Sequence, residues 1–425
     1  MDLKRTLQAR DQHVIWHPFS QHGLHEEILP VASAKGAYLT LEDGRQVIDA
    51  ISSWWVNIHG HSNARIADAI YKQAQSMEHV IFAGFTHQPA VKLAEQLVKM
   101  CRDRNMKLSR CFYSDNGSTA VEVALKMAFQ FHFNRGDSKR TRFLALNQAY
   151  HGDTLGAMAV GEPDGFHRLF KPLLPEVDFV GPDQMDEFER KVENDGDSIA
   201  AFIFEPIVQG ASGMKMYSPQ FLRDAVALCK EKGILTIADE VFTGFYRTGK
   251  WLASEYAEIE PDLLCLSKGI TGGFLPLAVT LATEEVYSGF LSKQLSTAFL
   301  HGHSYTANPL ACAAALESCK MLEEPSCIEN RTRIANVTEK RIRALGNHSQ
   351  VKFARSLGTI GAIELKKEMS YFDGGRGRLI QRALEKGVLL RPLGNVIYTV
   401  PPYCVTEGEL NQIYETMEEL AHGKF

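Results

Sequence analysis

The chain has 425 residues, of which 45% are apolar and 23% are charged, with a formal net charge of −5. This length predicts roughly two or three domains and a core that needs no disulfide or metal to hold it. The basic residues are scattered along the chain, which excludes the basic face of a nucleic-acid-binding protein. Residues 1–13 contain no apolar h-region, and no apolar run approaches the ~20 residues of a membrane span. We therefore expect a cytoplasmic protein with neither nucleic acid nor a membrane as its partner.

Cysteine usage agrees with a reducing compartment. The eight cysteines lie far apart, with no Cys-x-x-Cys or Cys-x-x-His spacing that would indicate a metal or redox motif. Several of them lie inside apolar runs, as Cys265 does. We expect buried, reduced thiols at all eight positions, which are Cys101, Cys111, Cys229, Cys265, Cys312, Cys319, Cys327 and Cys404.

The N-terminal third begins with short strands and continues with helices. Residues 36–44 form a strand pattern closed by Asp43-Gly44, a typical hairpin turn. Apolar residues three and four apart then predict helices at 64–77 and 90–100. From there to residue 266 short apolar strands alternate with helices. Strands are predicted at 110–113, 142–146, 199–204, 234–238 and 263–266, and helices at 119–132 and 219–231.

This alternation predicts an α/β fold with a mainly parallel, doubly wound central sheet. Beyond residue 311 a long helical region leads to strands at 360–365 and 396–399, and a last helix covers 407–421. We divide the chain into a large domain at 61–310 and a smaller α/β domain built from 1–60 and 311–425. In such sheets ligands bind beyond the carboxyl ends of the strands, so the chemistry is expected there.

Two strand ends carry ionisable side chains. The predicted strand 234–238 runs into the acid pair Asp239 and Glu240, and the strand 263–266 runs into Lys268, followed by Gly269. An acid pair is often only a solvated turn, and a lysine at a strand end is usually just exposed. A neutral lysine amine can, however, form a Schiff base with an aldehyde.

Two further strand ends carry small and aromatic residues. Gly117, Ser118 and Thr119 open the helix after the first strand of the sheet, where backbone N–H groups and hydroxyls can bind a phosphate. Ordinary helix capping by Ser or Thr is an equally good reading of this segment. Tyr150 follows the second strand and could stack on a flat heterocycle, although a core aromatic is the default.

One cofactor explains all four features together. Pyridoxal phosphate needs a lysine for its aldehyde, a carboxylate that keeps its pyridine nitrogen protonated, a phosphate cradle and a surface for its ring. Lys268, Asp239, the 117–119 segment and Tyr150 each supply one of these requirements at the same predicted sheet edge. The sequence therefore predicts a pyridoxal-phosphate site.

Two other motifs point elsewhere. The stretch 244–250 has the Gly-x4-Gly-Lys spacing of a nucleotide-binding loop, but Trp251 stands where a Ser or Thr would hold Mg²⁺. A nucleotide-binding protein using this loop therefore remains only a remote alternative. The histidine pairs His59/His61 and His301/His303 have no carboxylate set around them in the sequence, so we interpret them as turn residues rather than as metal ligands.

The motifs around these residues resemble those of class III aminotransferases. The acid pair with Asp239 and the Ser267-Lys268-Gly269 segment match the signature of that family, and further matching segments run from about residue 10 to about residue 405. They are Trp16-His17-Pro18, Ser52-Ser53-Trp54-Trp55, the segment 150–154, the segment 205–210, the segment 244–250, His301-Gly302, the segment 308–312 and Arg391-Pro392. The Trp-His-Pro and Ser-Ser-Trp-Trp segments are typical of one branch, which aminates a long keto acid in biotin biosynthesis.

The resemblance implies a fold type I homodimer and a set of residue roles. Lys268 binds the cofactor and moves the proton, and Asp239 pairs with the pyridine nitrogen. Gly117 and Ser118 bind the phosphate, helped by Ser304 from the partner subunit, and Tyr150 stacks on the ring. Arg391 takes the carboxylate of the keto acid, since a planar guanidinium binds it with two hydrogen bonds. The remaining substrate-binding candidates are Phe19, Trp54, Trp55, Arg247, Gly302 and Tyr398.

The same branch implies 8-amino-7-oxononanoate as acceptor and S-adenosylmethionine as amino donor. Phe19 departs from the tyrosine that often follows His-Pro in this branch, so the donor stays open. An aminotransferase that uses lysine as donor, or another ω-amine, is therefore kept as an alternative. Relatives that use ornithine or 4-aminobutyrate carry a glutamate where this chain has Ala211, which counts against those substrates.

Overall fold

The computed structural model describes residues 6–24, 28–162, 167–372 and 374–423. The helices are α1 (Leu7–Val14), α2 (Ser52–Trp55), α3 (Ala64–Ser76), α4 (Gln88–Arg102), α5 (Gly117–Asn134), α6 (Leu155–Val160), α7 (Met185–Asp195), α8 (Pro219–Glu231), α9 (Ser254–Ala257), α10 (Glu284–Ser288), α11 (Pro309–Leu322), α12 (Pro325–Leu345), α13 (Gly374–Glu385) and α14 (Glu407–Ala421). The strands are β1 (Val31–Lys35), β2 (Tyr38–Leu41), β3 (Gln46–Asp49), β4 (Leu108–Ser114), β5 (Arg142–Leu146), β6 (Asp178–Val180), β7 (Ile199–Phe204), β8 (Val208–Gln209), β9 (Lys215–Met216), β10 (Leu235–Asp239), β11 (Leu263–Leu266), β12 (Ala278–Thr283), β13 (Val351–Leu357), β14 (Ile360–Leu365), β15 (Val388–Leu389) and β16 (Val396–Thr399).

The predicted doubly wound sheet is confirmed. Seven strands lie in the order β4-β12-β11-β10-β7-β5-β6. All of them run parallel except β12, which pairs antiparallel with both β4 and β11 and was not predicted. Neighbouring residues of a strand face opposite layers, as Ile237 and Ala238 do, and they belong to two separate hydrophobic clusters. Both faces of the sheet are therefore buried, which explains the nearly continuous apolar runs of its strands.

The smaller sheets join the two ends of the chain. The Asp43-Gly44 turn connects β2 to β3 as an antiparallel hairpin, with Gly44 at a φ of +85°. Strand β3 also pairs in parallel with β15, so the N-terminal hairpin shares a sheet with a C-terminal strand. Helix α11 packs on α3 and α4 of the large unit, so the bound at residue 310 lies just after the start of a bridging helix. The domain limits themselves stay a prediction.

The structure corrects the expectation about the cysteines and shows the form of the 244–250 stretch. All eight cysteines are free thiols, but Cys404 is exposed and Cys111 and Cys327 are half-buried, whereas buried thiols were expected at these positions. The stretch 244–250 is a run of turns, followed by the four-residue helix α9. A phosphate-binding loop of a nucleotide hydrolase leads into a long helix, so this stretch does not have the form of such a loop.

No helix of the described residues has the length and apolar character needed to cross a membrane.

Candidate active site

The carboxyl ends of the parallel strands surround a cavity of about 540 Å³. Strand β10 ends at Asp239, β11 runs into Lys268, and β4 leads through Asn116 into α5. The cavity lining includes the side chains of Asp239 and Lys268 as well as the first turn of α5. The structure therefore brings together, in one cavity, the groups that the sequence placed at separate strand ends.

Lys268 lies part-buried at the floor of this cavity. Its Nζ lies 4.4 Å from the ring centroid of Trp55 and 5.7 Å from that of Phe242. Burial lowers the pKa of Lys268 to about 8, against the opposing effect of the Asp239 and Glu205 carboxylates. The neutral form of the amine, which attacks a carbonyl, is therefore far more abundant near neutral pH than in an ordinary exposed lysine.

Asp239 is buried with both carboxylate oxygens engaged. Oδ1 accepts a hydrogen bond from the Val241 N–H at 3.0 Å, and Oδ2 lies 2.7 Å from His151 Nδ1. An ionised carboxylate only accepts, so Nδ1 of His151 carries the proton. Each oxygen retains a second lone pair for a cationic ring nitrogen in the cavity. Sequence reasoning missed His151, although it directly follows Tyr150.

The N-terminus of α5 has the form of an anion cradle. The N-cap is Asn116 rather than the expected Ser or Thr: its side chain accepts from the Thr119 N–H, and the Thr119 hydroxyl accepts in return from the Asn116 N–H at 3.0 Å, which completes a capping box. The N–H groups of Gly117 and Ser118 have no carbonyl partner within the helix, as in any first turn. The Ser118 hydroxyl accepts from the Asp153 N–H at 3.1 Å.

Two glycines keep this cradle open. A Cβ at Gly152, which has a φ of +126°, would lie 1.9 Å from Ser118 Oγ. A Cβ at Gly117 would lie 2.7 Å from a methyl carbon of Val241. Any larger residue would fill the space beside the free N–H groups. These donors, with the positive end of an 18-residue helix, fit a phosphate.

Tyr150 forms one side of the cavity and is fixed by its neighbours. Its ring stacks on His167 with centroids 5.7 Å apart, and its N–H donates to Glu205 Oε1 at 3.0 Å. The other oxygen of Glu205 accepts from the Gly210 N–H at 2.9 Å. Burial raises the pKa of Glu205 to about 7 and that of Tyr150 well above its usual range. Val241, two residues after Asp239, also lines the cavity and offers methyl groups for a ring face.

The opposite end of the cavity is built around a strained turn. Ser52, Ser53 and Trp55 all have positive φ values, of 51°, 61° and 67°, which non-glycine residues rarely adopt. The buried Asp49 holds this turn, because its carboxylate accepts from the Ile51 N–H at 3.3 Å and from the Ser53 hydroxyl at 2.9 Å.

The turn presents two tryptophans to the cavity. Trp55 is buried and donates through Nε1 to the Tyr398 hydroxyl at 3.1 Å. Trp54 is 42% exposed, and its ring lies 5.3 Å from that of Phe19 and 5.2 Å from the guanidinium carbon of Arg391. No ion pair of Arg391 is found in the described parts of the chain, so its charge is open to an anionic substrate group.

Three predicted site residues lie outside this cavity lining. Arg247 is fully buried below the turn and donates to the carbonyls of Pro401 at 2.8 Å and Trp55 at 3.2 Å. Arg247 is therefore neither in the cavity wall nor in an ion pair at the protein surface. Burial lowers the pKa of its guanidinium group. Gly302 and Ser304 are exposed on a loop of this single chain. Tyr371 and Arg376, by contrast, line the cavity without having been predicted.

Comparisons with known proteins give one consistent family. A family model described as aminotransferase class-III matches residues 19–421. An adenosylmethionine-8-amino-7-oxononanoate aminotransferase of Synechococcus elongatus is 49% identical, over 96% of this chain and 98% of its own length. The enzyme of that name from Helicobacter pylori is 38% identical over 100% of both chains.

Solved structures agree with these relatives. The enzyme of the same name from Methanocaldococcus jannaschii superposes with a TM-score of 0.92 at 37% identity, covering 97% of this chain and 98% of its own. An amine transaminase of an uncultivated Pseudomonas species, in its PLP-bound form, reaches 0.89 at 30% identity, covering 95% and 97%. The fold is that of the fold type I transaminases, as the resemblance implied.

Proposed function

Because the chain belongs to the class III aminotransferase family, we propose that it transfers the amino group of S-adenosylmethionine to 8-amino-7-oxononanoate, forming 7,8-diaminononanoate for biotin biosynthesis. The observation that carries the proposal is the shared cavity, in which Lys268 and Asp239 face the N-terminus of α5. Several relatives over nearly the full length of the chain carry this activity in their names.

Pyridoxal phosphate fits the residues of this cavity. Gly117 and Ser118 would hold its phosphate, Asp239 its protonated ring nitrogen, and Tyr150 with Val241 the two faces of its ring. The bound cofactor supplies an aldehyde for amines and a cationic ring that accepts electrons during transamination. The hydrogen bond from His151 would hold the Asp239 carboxylate in its orientation toward the ring nitrogen.

Lys268 has two tasks in this proposal. Its neutral amine would hold the cofactor, which its lowered pKa of about 8 favours. Nζ would also move the proton at the substrate carbon that bears the amino group. The rings of Trp55 and Phe242 beside Nζ keep its surroundings apolar and exclude water.

The acceptor is a linear keto acid, and the other end of the cavity suits its two parts. Arg391 would bind the distal carboxylate with two parallel hydrogen bonds. Trp54, Trp55 and Tyr398 would line the aliphatic chain, with Phe19 closing the mouth over Trp54. Arg247 would act indirectly, by holding the Trp55 carbonyl from below.

A homodimer completes the proposal. Ser304 and Gly302 lie on an exposed loop together with Leu300, 76% exposed, and Tyr305, 64% exposed. Residues 78–85 adjoin this loop, since the His79 and Tyr305 rings are 5.4 Å apart, and they add two exposed apolar side chains. Apolar surface of this kind favours an interface, through which Ser304 would reach the phosphate in the partner subunit.

The free thiols agree with the cytoplasmic location that we also propose.

Phe19 favours one alternative, a different amino donor. Its ring lies against Trp54 at the cavity mouth and offers no hydroxyl to a polar donor. Half-reactions with S-adenosylmethionine and with lysine, each followed by the loss of cofactor absorbance, decide between the donors. Bleaching by lysine alone would overturn S-adenosylmethionine as donor.

Borohydride trapping tests the central claim. The purified protein should be yellow, and reduction should fix the cofactor to the peptide that contains Lys268. Lys268→Ala should lose this adduct and at least about 10⁴-fold of its turnover, since it removes both the covalent anchor and the proton carrier. Lys139→Ala, at an exposed lysine, is the control. An adduct mapped to another lysine contradicts the proposal.

A further inference from the structure

A second cavity of about 770 Å³ adjoins the first. The two share three lining residues, Ala211, Tyr371 and Leu393. The rest of its lining comes from Gln148, from the loop between β8 and β9, from β9, β13 and β14, from the segment before α13 and from the segment 393–396. None of the groups assigned above to the cofactor or to the acceptor lies in it, so it has no role yet.

The partition between the cavities is thin and firmly held. Ala211 contributes only a methyl group, at the tip of the loop between β8 and β9. Arg355 fixes this loop, because its Nε and Nη2 donate to the Gly213 carbonyl at 3.1 and 2.6 Å. Tyr371 is held by Arg376, whose guanidinium carbon lies 4.2 Å from the centre of its ring. A fixed wall with one small side chain leaves room for a ligand that extends past it.

The lining of the second cavity combines aromatic faces with polar groups. Phe353 and Phe372 both border the cavity. Phe353 is 55% exposed and Phe372 is 77% exposed, so both rings are accessible to a ligand. Asn395 donates to the Leu365 carbonyl at 2.8 Å, which leaves its amide oxygen as an acceptor. Glu364, paired with Arg355 at 3.1 Å, adds carboxylate acceptors. Aromatic faces stack on nucleic-acid bases, and these acceptors suit the hydroxyls of a ribose.

We infer that the second cavity receives the nucleoside of the amino donor, S-adenosylmethionine, with the purine on Phe353 and the ribose near Glu364 and Asn395. The inference rests on the proposed function. The first cavity must hold the cofactor together with one substrate, and binding sites bury most of a ligand's surface. The linear acceptor adds only an aliphatic chain, whereas the donor adds a purine and a ribose, which extend past Ala211.

A binding titration tests the inference without turnover. The probe is 5′-methylthioadenosine, which has the nucleoside and thioether of the donor but no amino group. Calorimetry on the cofactor-loaded protein should show binding, and Phe353→Ala should weaken it about tenfold, the loss expected of one stacking ring. Tyr71→Ala, at an exposed aromatic residue outside both cavities, should bind as the wild type does. An unchanged Kd in Phe353→Ala, or no binding to the wild type, overturns the inference.

A kinetic comparison adds a second readout. Phe353→Ala should raise KM for S-adenosylmethionine about tenfold, while protein loaded with pyridoxamine phosphate should react with 8-amino-7-oxononanoate as the wild type does. Equal losses in both half-reactions would overturn the inference, since they would indicate a general packing defect. If the wild-type protein fails to react with the keto acid, the proposed function fails instead, and the titration with the nucleoside still decides the role of the cavity.

Discussion

The two ends of the active cavity are built in different ways. At the cofactor end, each functional group lies at or shortly after the end of a strand of one sheet: Asp239 ends β10, Lys268 follows β11, and Ser118 lies in the first turn of the helix after β4. At the substrate end, the wall combines the strained turn 51–56 with Phe19, Arg391 and Tyr398, which are far apart in the sequence. The first end is encoded locally, and the second is assembled by long-range packing.

This difference has a physical cause. Parallel strands bring their carboxyl ends to one edge, so any polar residue at such an end lies at a common site. The substrate end depends instead on backbone strain and on contacts across hundreds of residues, such as the bond from Trp55 to Tyr398. We therefore expect substitutions at the cofactor end to change the chemistry, and those at the other end to change substrate affinity.

After the loss of Lys268, the largest effect is expected from the acid pair, where two neighbours have different roles. Asp239→Asn should lower kcat on the order of 10²- to 10³-fold and shift the cofactor absorbance, because a neutral amide no longer stabilises the protonated ring nitrogen. Its free energy of unfolding should also fall by about 1–3 kcal/mol, because an amide cannot accept from both the Val241 N–H and the His151 ring N–H, so the cofactor spectrum is the readout that separates it from its neighbour. Spectra of the loaded protein and steady-state rates measure both effects.

Glu240→Gln is the matched control. The Glu240 carboxylate faces away from the cavity and accepts from the Ala253 N–H at 3.0 Å and from the Ser254 N–H and hydroxyl at 2.7 Å each. An amide group here would leave buried donors unpaired, so the free energy of unfolding in urea should fall by about 1–3 kcal/mol. The cofactor spectrum should stay that of the wild type. A shifted spectrum in Glu240→Gln alone would reverse the two roles.

The sequence pattern alone located Asp239 and Lys268, which the structure brings to one cavity, whereas the residues of the substrate end came only from the resemblance. Hydrophobic alternation was enough to find the strands and hence Asp239 and Lys268. It could not find Tyr371 or Arg376, because no local pattern connects them to the sheet. Arg247 was misplaced, since an arginine whose partners are backbone carbonyls has no signature in the sequence. Strand β12 was missed because its apolar run follows a glycine-rich turn and reverses direction.

A smaller effect is expected at the carboxylate end of the acceptor. Arg391→Ala should raise KM for 8-amino-7-oxononanoate about 10- to 100-fold, because it removes charge-assisted hydrogen bonds. Arg391→Lys should restore little of the loss, since an ammonium cannot bind both carboxylate oxygens in one plane. Arg378→Ala, at an exposed arginine of α13, is the control. If an acceptor without a carboxylate shows the same loss, Arg391 does not bind that group.

The strained turn offers a still smaller and separate effect. Oδ2 of Asp49 contacts both the Ser53 hydroxyl and Nε2 of His61, each at 2.9 Å, and Asp49→Asn can place an amide N–H at this position. The turn should loosen, and kcat/KM for the acceptor should fall about tenfold, as expected when a positioning contact near the substrate is lost. Cofactor affinity, followed by fluorescence, should not change. Asp43→Asn in the exposed hairpin turn is the matched control. A loss of cofactor affinity in Asp49→Asn would contradict this prediction, because it would mean that the cofactor end and the substrate end of the cavity are coupled.

The smallest effect concerns how the cofactor enters its own end of the cavity. Only the neutral amine of Lys268 reacts with an aldehyde, and burial lowers its pKa to about 8. Below that pH the amine is mostly charged, so the rate of cofactor uptake by the apoprotein should rise about fivefold from pH 7 to pH 8 and level off above pH 9. Stopped-flow absorbance follows this rate. A rate that continues to rise tenfold per pH unit up to pH 10 would mean an ordinary, exposed lysine, and the apolar contacts of Trp55 and Phe242 would then have no effect on its charge.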